Sequence, residues 1–301
     1  RGIERLVGYT FSSCTSLENI VIPDNIIQMD DTFSSCTNLR NVSLGNGLKS
    51  LYGTFVGCTA LTSITIPKNV SLIWGSAFYK CYNLYEVVNK SDLKISLSSS
   101  DNGYVAYYAK ILINKDGSQT TSQDYYIKHG DFLFESSNNK NKLIAYLGSE
   151  DIVTLPLDFN GEAYTIGGMR GVKRVIVPDT ITKINDYAFS GCNTLTSIII
   201  PDSVTEIGTG AFYDCKNLLN ISLGFGITSI GNEAFFCCEN LKRITIPYNV
   251  KSIGKSAFLS CKSLTNISIP DNVRSIEAGT FSSCSNLRSI TIGKNITNIA
   301  T

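Results

Sequence analysis

Residues 188–208 read AFSGCNTLTSIIIPDSVTEIG, and the same phrase returns every 22 or 23 residues along most of the chain. The cysteines mark the beat: Cys14, Cys36, Cys58 and Cys81 stand 22, 22 and 23 apart, and Cys192, Cys215, Cys238, Cys261 and Cys284 follow one another at intervals of 23. A fixed period of this length belongs to a solenoid in which each repeat is one coil. Within a copy the order is Phe, Cys three residues on, Leu three further, then Ile-x-Ile, commonly Pro, and a second apolar pair. From Phe212 these positions are Cys215, Leu218, Ile221, Leu223, Ile227 and Ile230. Ile-x-Ile has the period of a strand with one buried face, so Ile64/Ile66, Ile244/Ile246, Ile267/Ile269 and Ile290/Ile292 are expected inside the coil. Pro23, Pro67, Pro178, Pro201, Pro247 and Pro270 then end the strand, because proline cannot donate to a ladder. Ala-Phe-x-x-Cys is too short for a stable α-helix and predicts a helical or 3₁₀ turn on the opposite side. A lone coil buries too little to offset the entropy of ordering its backbone, so coils are stable only when stacked.

Composition narrows the function. Lys plus Arg number 26 against 25 Asp plus Glu, which leaves no basic field of the kind that drives nucleic-acid binding. One histidine in 301 residues makes a zinc site or a His-based hydrolase improbable. No stretch approaches the roughly 18 to 20 apolar residues of a membrane span, so no direct membrane insertion is expected. The chain begins at Arg1, inside a repeat and without a signal pattern, which suggests a fragment or a processed product.

The repeat resembles the leucine-rich repeats of BspA-like surface proteins, found in anaerobic bacteria and some parasitic protozoa. The resemblance covers residues 1–89 and about 166–301. Two departures stand out. The copies at Phe33 and Phe55 lack a residue before the Phe, and the copy IGGMRGVKRVIVP at 166–178 lacks the Ala-Phe-x-x-Cys segment. The expected fold is a right-handed leucine-rich repeat solenoid, mainly parallel β with short helical or 3₁₀ turns and a hairpin-rich irregular middle. Three parts follow: N-terminal repeats at 1–89, a hairpin-rich insertion or widened coils at 90–165, and C-terminal repeats at 166–301.

In the middle stretch the beat fails and tyrosines appear at 104, 107, 108, 125, 126, 146 and 164. The runs YVAYYAKILI, DYYIKHGDFLFES and NKLIAYLG, separated by Asp116-Gly117 and Asn138-Asn139, read as hairpins. A separate small domain and a solenoid continued through widened coils both fit. Continuity is favoured because Val153-Thr154-Leu155-Pro156 keeps the strand-Pro phrase and Tyr164-Thr165-Ile166-Gly167 keeps the second apolar pair.

The repeat accounts for most candidate chemistry. Ten cysteines invite disulfides, but coils about 4.8 Å apart hold equivalent Cβ atoms farther apart than the roughly 3.8 Å of a bridge. The column therefore reads as reduced, buried thiols, with Cys237 outside it and more exposed. A Cys–His pair at His129 is disfavoured, since the column cysteines belong to the core and His129 adjoins a turn-like Gly130-Asp131. The aspartates after the prolines, Asp179 and Asp202 among them, read as turn caps rather than a calcium ladder. Asn220-Ile-Ser and Asn266-Ile-Ser fall on predicted strands and read as by-products of the repeat rather than glycan sites.

What remains for binding is the outer face of the strand ladder, where one column runs from Asn19 through Ser63, Glu86 and Arg243 to Ser289 and another from Val21 to Thr291. Most positions are small and polar, as on a solvated sheet. Arg174, Ile176 and Ile199 depart from that pattern, and the middle stretch adds Tyr107 and Tyr108, so these five are the candidate protein-binding residues. No catalytic, metal or cofactor residues are expected. The reading is a non-catalytic recognition protein. The resemblance implies an extracellular or cell-surface location and adhesion to a protein ligand such as an extracellular-matrix or microbial surface protein. The alternatives are a structural spacer for a further domain and, less favoured, an enzyme with its site in the middle stretch.

Overall fold

The computed structural model describes residues 2–123, 125–137 and 140–300. The chain separates into two compact units: Arg1–Leu133 with Leu147–Ser149, and Phe134–Tyr146 with Glu150–Thr301. In both, each repeat adds a rung to parallel ladders, because the in-register repeat places like residues side by side.

In the first unit the strands Arg5–Leu6, Gln28–Asp30, Ser50–Tyr52 and Leu72–Trp74 stack in order, with Met29 opposite Leu51 and Leu51 opposite Ile73. Two further ladders pair Asn19–Val21 with Asn41–Ser43, and Ser63–Ile66 through Glu86–Asn89 to Ile111–Ile113. In the second unit Ile152–Thr154, Arg174–Ile176, Ser197–Ile199 and Asn220–Ser222 form one parallel ladder. Arg243 bridges Asn220 and Asn266, and Asn266–Ser268 pairs with Ser289–Thr291. Lys183–Ile184, Glu206–Ile207, Ser229–Ile230 and Ser252–Ile253 form another ladder.

The Phe-x-x-Cys segments are successive 3₁₀-type turns. The Cys238 N–H bonds to the Phe235 carbonyl at 3.2 Å and the Leu241 N–H to the Cys238 carbonyl at 3.1 Å. Among the described residues one short 3₁₀-type turn stands out, Asn102–Tyr104, left-handed with φ of 51°, 63° and 65° at its three residues. A longer helix is prevented because the residue before the cysteine sits in the left-handed region: φ is 61° at Ser35, 71° at Gly57, 68° at Gly191 and 56° at Cys237. That conformation turns its N–H toward the next coil, so Cys237 donates to the Leu259 carbonyl at 2.8 Å. Glycine meets this demand at 57 and 191 without strain.

Behind the turns the phenylalanines stack face to face: Phe189, Phe212, Phe235 and Phe258 follow one another at centroid distances of 5.2–5.3 Å. The cysteine column packs beside them, and most of its thiols donate to the carbonyl of a Phe in the preceding coil, as from Cys58 to Phe33 at 3.2 Å and from Cys261 to Phe235 at 3.1 Å, whereas Cys192 turns to the Val172 carbonyl. The coil at 166–178 compensates for its missing segment with Met169, which is fully buried and donates its N–H to the Ala188 carbonyl, the role Phe189 plays toward Ala211.

Three expectations change. Ile290 and Ile292 are 39% and 46% exposed rather than inside the coil. Glu86 is 5% exposed rather than on an open ladder, because the Tyr126–His129 strand lies over it and Lys128 pairs with its carboxylate. The YVAYYAKILI run holds one short strand, Ile111–Ile113; before it Val105, Ala106 and Ala109 are buried in a turn that stands where Phe-x-x-Cys-x-x-Leu stands elsewhere. The Asp116-Gly117 hairpin forms, pairing Ile111–Ile113 with Gln119–Thr121 antiparallel. The Asn138-Asn139 turn lies outside the described residues. NKLIAYLG, read as part of a hairpin, also makes a parallel rung, Asn141 opposite Tyr164 and Leu143 opposite Ile166. Val153 stands opposite Val175 as the strand-Pro phrase implies.

Candidate recognition surfaces

Tyr107 and Tyr108 belong to a cluster of five tyrosines on the turn side of the first unit. Tyr79 and Tyr82 come from the turn at 77–82, and Tyr104, Tyr107 and Tyr108 from the turn stacked on it. Ring centroids lie 5.3 Å apart for Tyr79–Tyr104, 5.3 Å for Tyr82–Tyr108, 5.4 Å for Tyr104–Tyr107 and 4.9 Å for Tyr107–Tyr108, mostly tilted or edge to face. That geometry suits the aromatic quadrupoles and leaves faces open. Tyr82 is 53% and Tyr107 44% exposed. The Lys80 ammonium sits 5.5 Å from the Tyr79 ring centre, a cation–π contact. Burial raises the Tyr108 phenol above its ordinary range, against a lowering contact from the Lys80 backbone. Tyr79 and Tyr82 were not singled out in the sequence, although the repeat signals them: their equivalents are Ser34 and Thr37 in one coil, Ser190 and Asn193 in another.

Arg174, Ile176 and Ile199 lie on one ladder face of the second unit. Arg174 stands opposite Ser197 and Ile176 opposite Ile199, so the two isoleucines are side by side and both exposed. Exposed Ile152 extends the patch beside Arg174. The five predicted residues thus form two groups, one in each unit.

A further aromatic pair went unread. Trp74, about half exposed, lies with its ring centre 4.4 Å from that of Tyr52 on the Leu72–Trp74 edge. Gly75 makes room for it: its φ is +62°, and a Cβ there would stand 2.5 Å from Tyr52 Cε2. In the same unit the Ser63 hydroxyl donates to the Leu147 carbonyl at 3.2 Å, so the segment 147–149 borders the ladder face and encloses a groove of about 410 Å³ with Asn19, Asn41 and Asp131.

His129 is exposed at the end of the Tyr126–His129 strand, while the column thiols are buried. Burial pushes the Cys81 thiol up to about 12 and raises Cys58, Cys215, Cys238 and Cys261 as well, which keeps them protonated and poor nucleophiles. Asp202 accepts from the Phe225 N–H at 2.7 Å and Asp271 from the Lys294 N–H at 2.9 Å, so these aspartates cap the turn of the next coil. Among the described residues no helix is long and apolar enough to cross a membrane.

The model of the BspA type leucine rich repeat region matches residues 2–100 and 182–301, in six copies. The chain belongs to this family. Among solved structures it is similar to the leucine rich repeat protein TpLRR of T. pallidum, at 27% identity over 58% of this chain and 85% of that one, with a TM-score of 0.51. It is also similar to a leucine rich cell surface protein of Faecalibacterium prausnitzii A2-165, at 23% identity over 96% and 83% of the two chains, TM-score 0.43. A leucine-rich repeat protein of Bacteroides ovatus ATCC 8483 follows at 22% identity over 99% and 76%, TM-score 0.37. A comparison with the curated proteins gives no match. Leucine-rich repeat proteins generally engage other proteins and are generally non-enzymatic.

Proposed function

We propose that this BspA-type chain is a non-catalytic recognition protein, cell-surface or secreted, whose solenoid presents rigid side chains to a protein partner such as an extracellular-matrix or microbial surface protein. The observation that carries the reading is the five-tyrosine cluster at 79–108, in which four ring contacts join two stacked turns. Tyrosine brings a large apolar face and a hydroxyl at low entropic cost, which makes it a strong interface anchor. The Arg174, Ile176 and Ile199 patch offers a second anchor in the other unit. The surface location rests on membership of the BspA-type family.

Immobilised fibronectin and fibrinogen, probed with the wild type and with Arg174→Ala/Ile176→Ser, test the reading. Saturable binding that the double substitution weakens supports it. Absence of binding to these and to other matrix and bacterial surface proteins, or turnover of a substrate that disappears in His129→Ala, overturns it.

A further inference from the structure

The ladder face over 220–291 differs from the rest in charge. Its columns carry Asn220, Arg243, Asn266 and Ser289, and Ser222, Thr245, Ser268 and Thr291, and the column just before them holds Lys242, Thr265 and Arg288. All three cations are exposed, and none has an ion-pair or hydrogen-bond partner for its side chain among the described residues. The nearby acid Glu239 is already held by Lys262 at 3.0 Å. Arg243 stands between Asn220 and Asn266, joined to each by a single bridge. It lines a groove of about 500 Å³ with Thr245, Asn266, Ser268, Ser289 and Thr291.

We infer that this groove binds a linear sulfated polysaccharide, a ligand beyond the protein partners proposed above. Coils stack about 4.8 Å apart, so Lys242 and Arg288, two coils apart, present positive charge at roughly 10 Å, with Arg243 beside Lys242. Guanidinium groups take sulfate oxygens in bidentate fashion, and the interleaved hydroxyl and amide groups can pair with sugar hydroxyls. A nucleic acid fits less well: single strands need aromatic platforms, and these columns have none. An acidic peptide fits less well because the groove lining offers no aromatic anchor.

The test is heparin binding by isothermal titration at low and raised salt, with N- and O-desulfated heparin, double-stranded DNA and poly-glutamate as competitors. The variants are Lys242→Thr/Arg243→Asn and, separately, Arg288→Thr, each replacing a cation with the residue that neighbouring coils carry, so folding is retained and checked by the melting temperature. Lys251→Thr, outside the groove, is the control and removes one unit of charge, as Arg288→Thr does. Heparin affinity that falls steeply with salt and drops about tenfold or more in the double variant, with the control unchanged, supports the inference. It is overturned if heparin does not bind, if Lys251→Thr weakens binding equally, or if desulfated heparin, DNA or poly-glutamate binds as well. Matrix-protein binding is read separately, so either ligand can fail without the other.

Discussion

The Cys238 thiol donates to the main-chain carbonyl of Phe212, 26 residues earlier, at 3.2 Å. Cys36, Cys58, Cys81, Cys215, Cys261 and Cys284 repeat the bond to the preceding coil's Phe at 3.0–3.2 Å. The cysteine is therefore more than a small apolar filler. It adds a second donor to a carbonyl that already accepts the Cys215 N–H at 3.2 Å, and an alanine in its place would remove the thiol bond and leave a small cavity.

Cys238→Ala is accordingly expected to cost about 1–2 kcal/mol, from the lost thiol hydrogen bond and the small cavity. Cys237→Ala, next to it but outside the column, is expected to stay within about 0.5 kcal/mol. Denaturant unfolding of both variants gives the comparison; equal losses would mean that the thiol bond contributes nothing.

Alkaline pH should weaken the fold. Burial lifts the folded-state Cys81 thiol from an ordinary 9.0 to about 12, and raises Cys58, Cys215, Cys238 and Cys261 too. The native protein keeps these protons where the unfolded chain releases them. The stabilisation is complete below about pH 9 and is lost as pH rises toward 12, at about 1.4 kcal/mol per pH unit per thiol. Unfolding free energies at pH 8 and pH 10 measure this, and Cys81→Ala should flatten the slope. A stability that is level or rising between those pH values contradicts the account.

Thiol reagents should find three classes. Cys14 is exposed, Cys237 and Cys284 are partly buried, and the other seven are buried and free. The sequence led us to expect Cys237 as the accessible exception, but Cys14 is more open. Native titration should show Cys14 reacting first, Cys237 and Cys284 slowly, and all ten after unfolding. A Cys237 that reacts ahead of Cys14 would contradict the burial order.

The period in the sequence carried the ladders, the buried columns and the reduced cysteines, since each follows from side-chain spacing within one coil. Contacts formed between distant segments were not legible. Nothing near Glu86 announces that Lys128, 42 residues on, will cover it. The tyrosine cluster was half visible: Tyr107 and Tyr108 stood out by density, but their meeting with Tyr82 depends on which turn stacks on which. YVAYYAKILI misled because its apolar residues suit a strand, whereas burial of Val105, Ala106 and Ala109 follows the spacing of a tight turn.

Whether 90–165 is an autonomous part is tested by deleting it. Ile111–Ile113 pairs directly with Glu86–Asn89, and Val105 and Leu112 belong to the core that includes Phe78 and Leu84. We predict that the deletion exposes this edge and yields aggregates. A monomeric product with an unchanged melting temperature would establish an independent insertion.

The central claim is that the tyrosine cluster holds the partner. The most direct measurement is the affinity of Tyr82→Thr/Tyr107→Ser/Tyr108→Ser for whichever matrix protein the wild type binds, alongside its melting temperature. The account predicts a loss of about a hundredfold or more, since two or three anchors each contribute roughly 1–2 kcal/mol, with little change in melting. Unaltered affinity in a folded triple variant would contradict it.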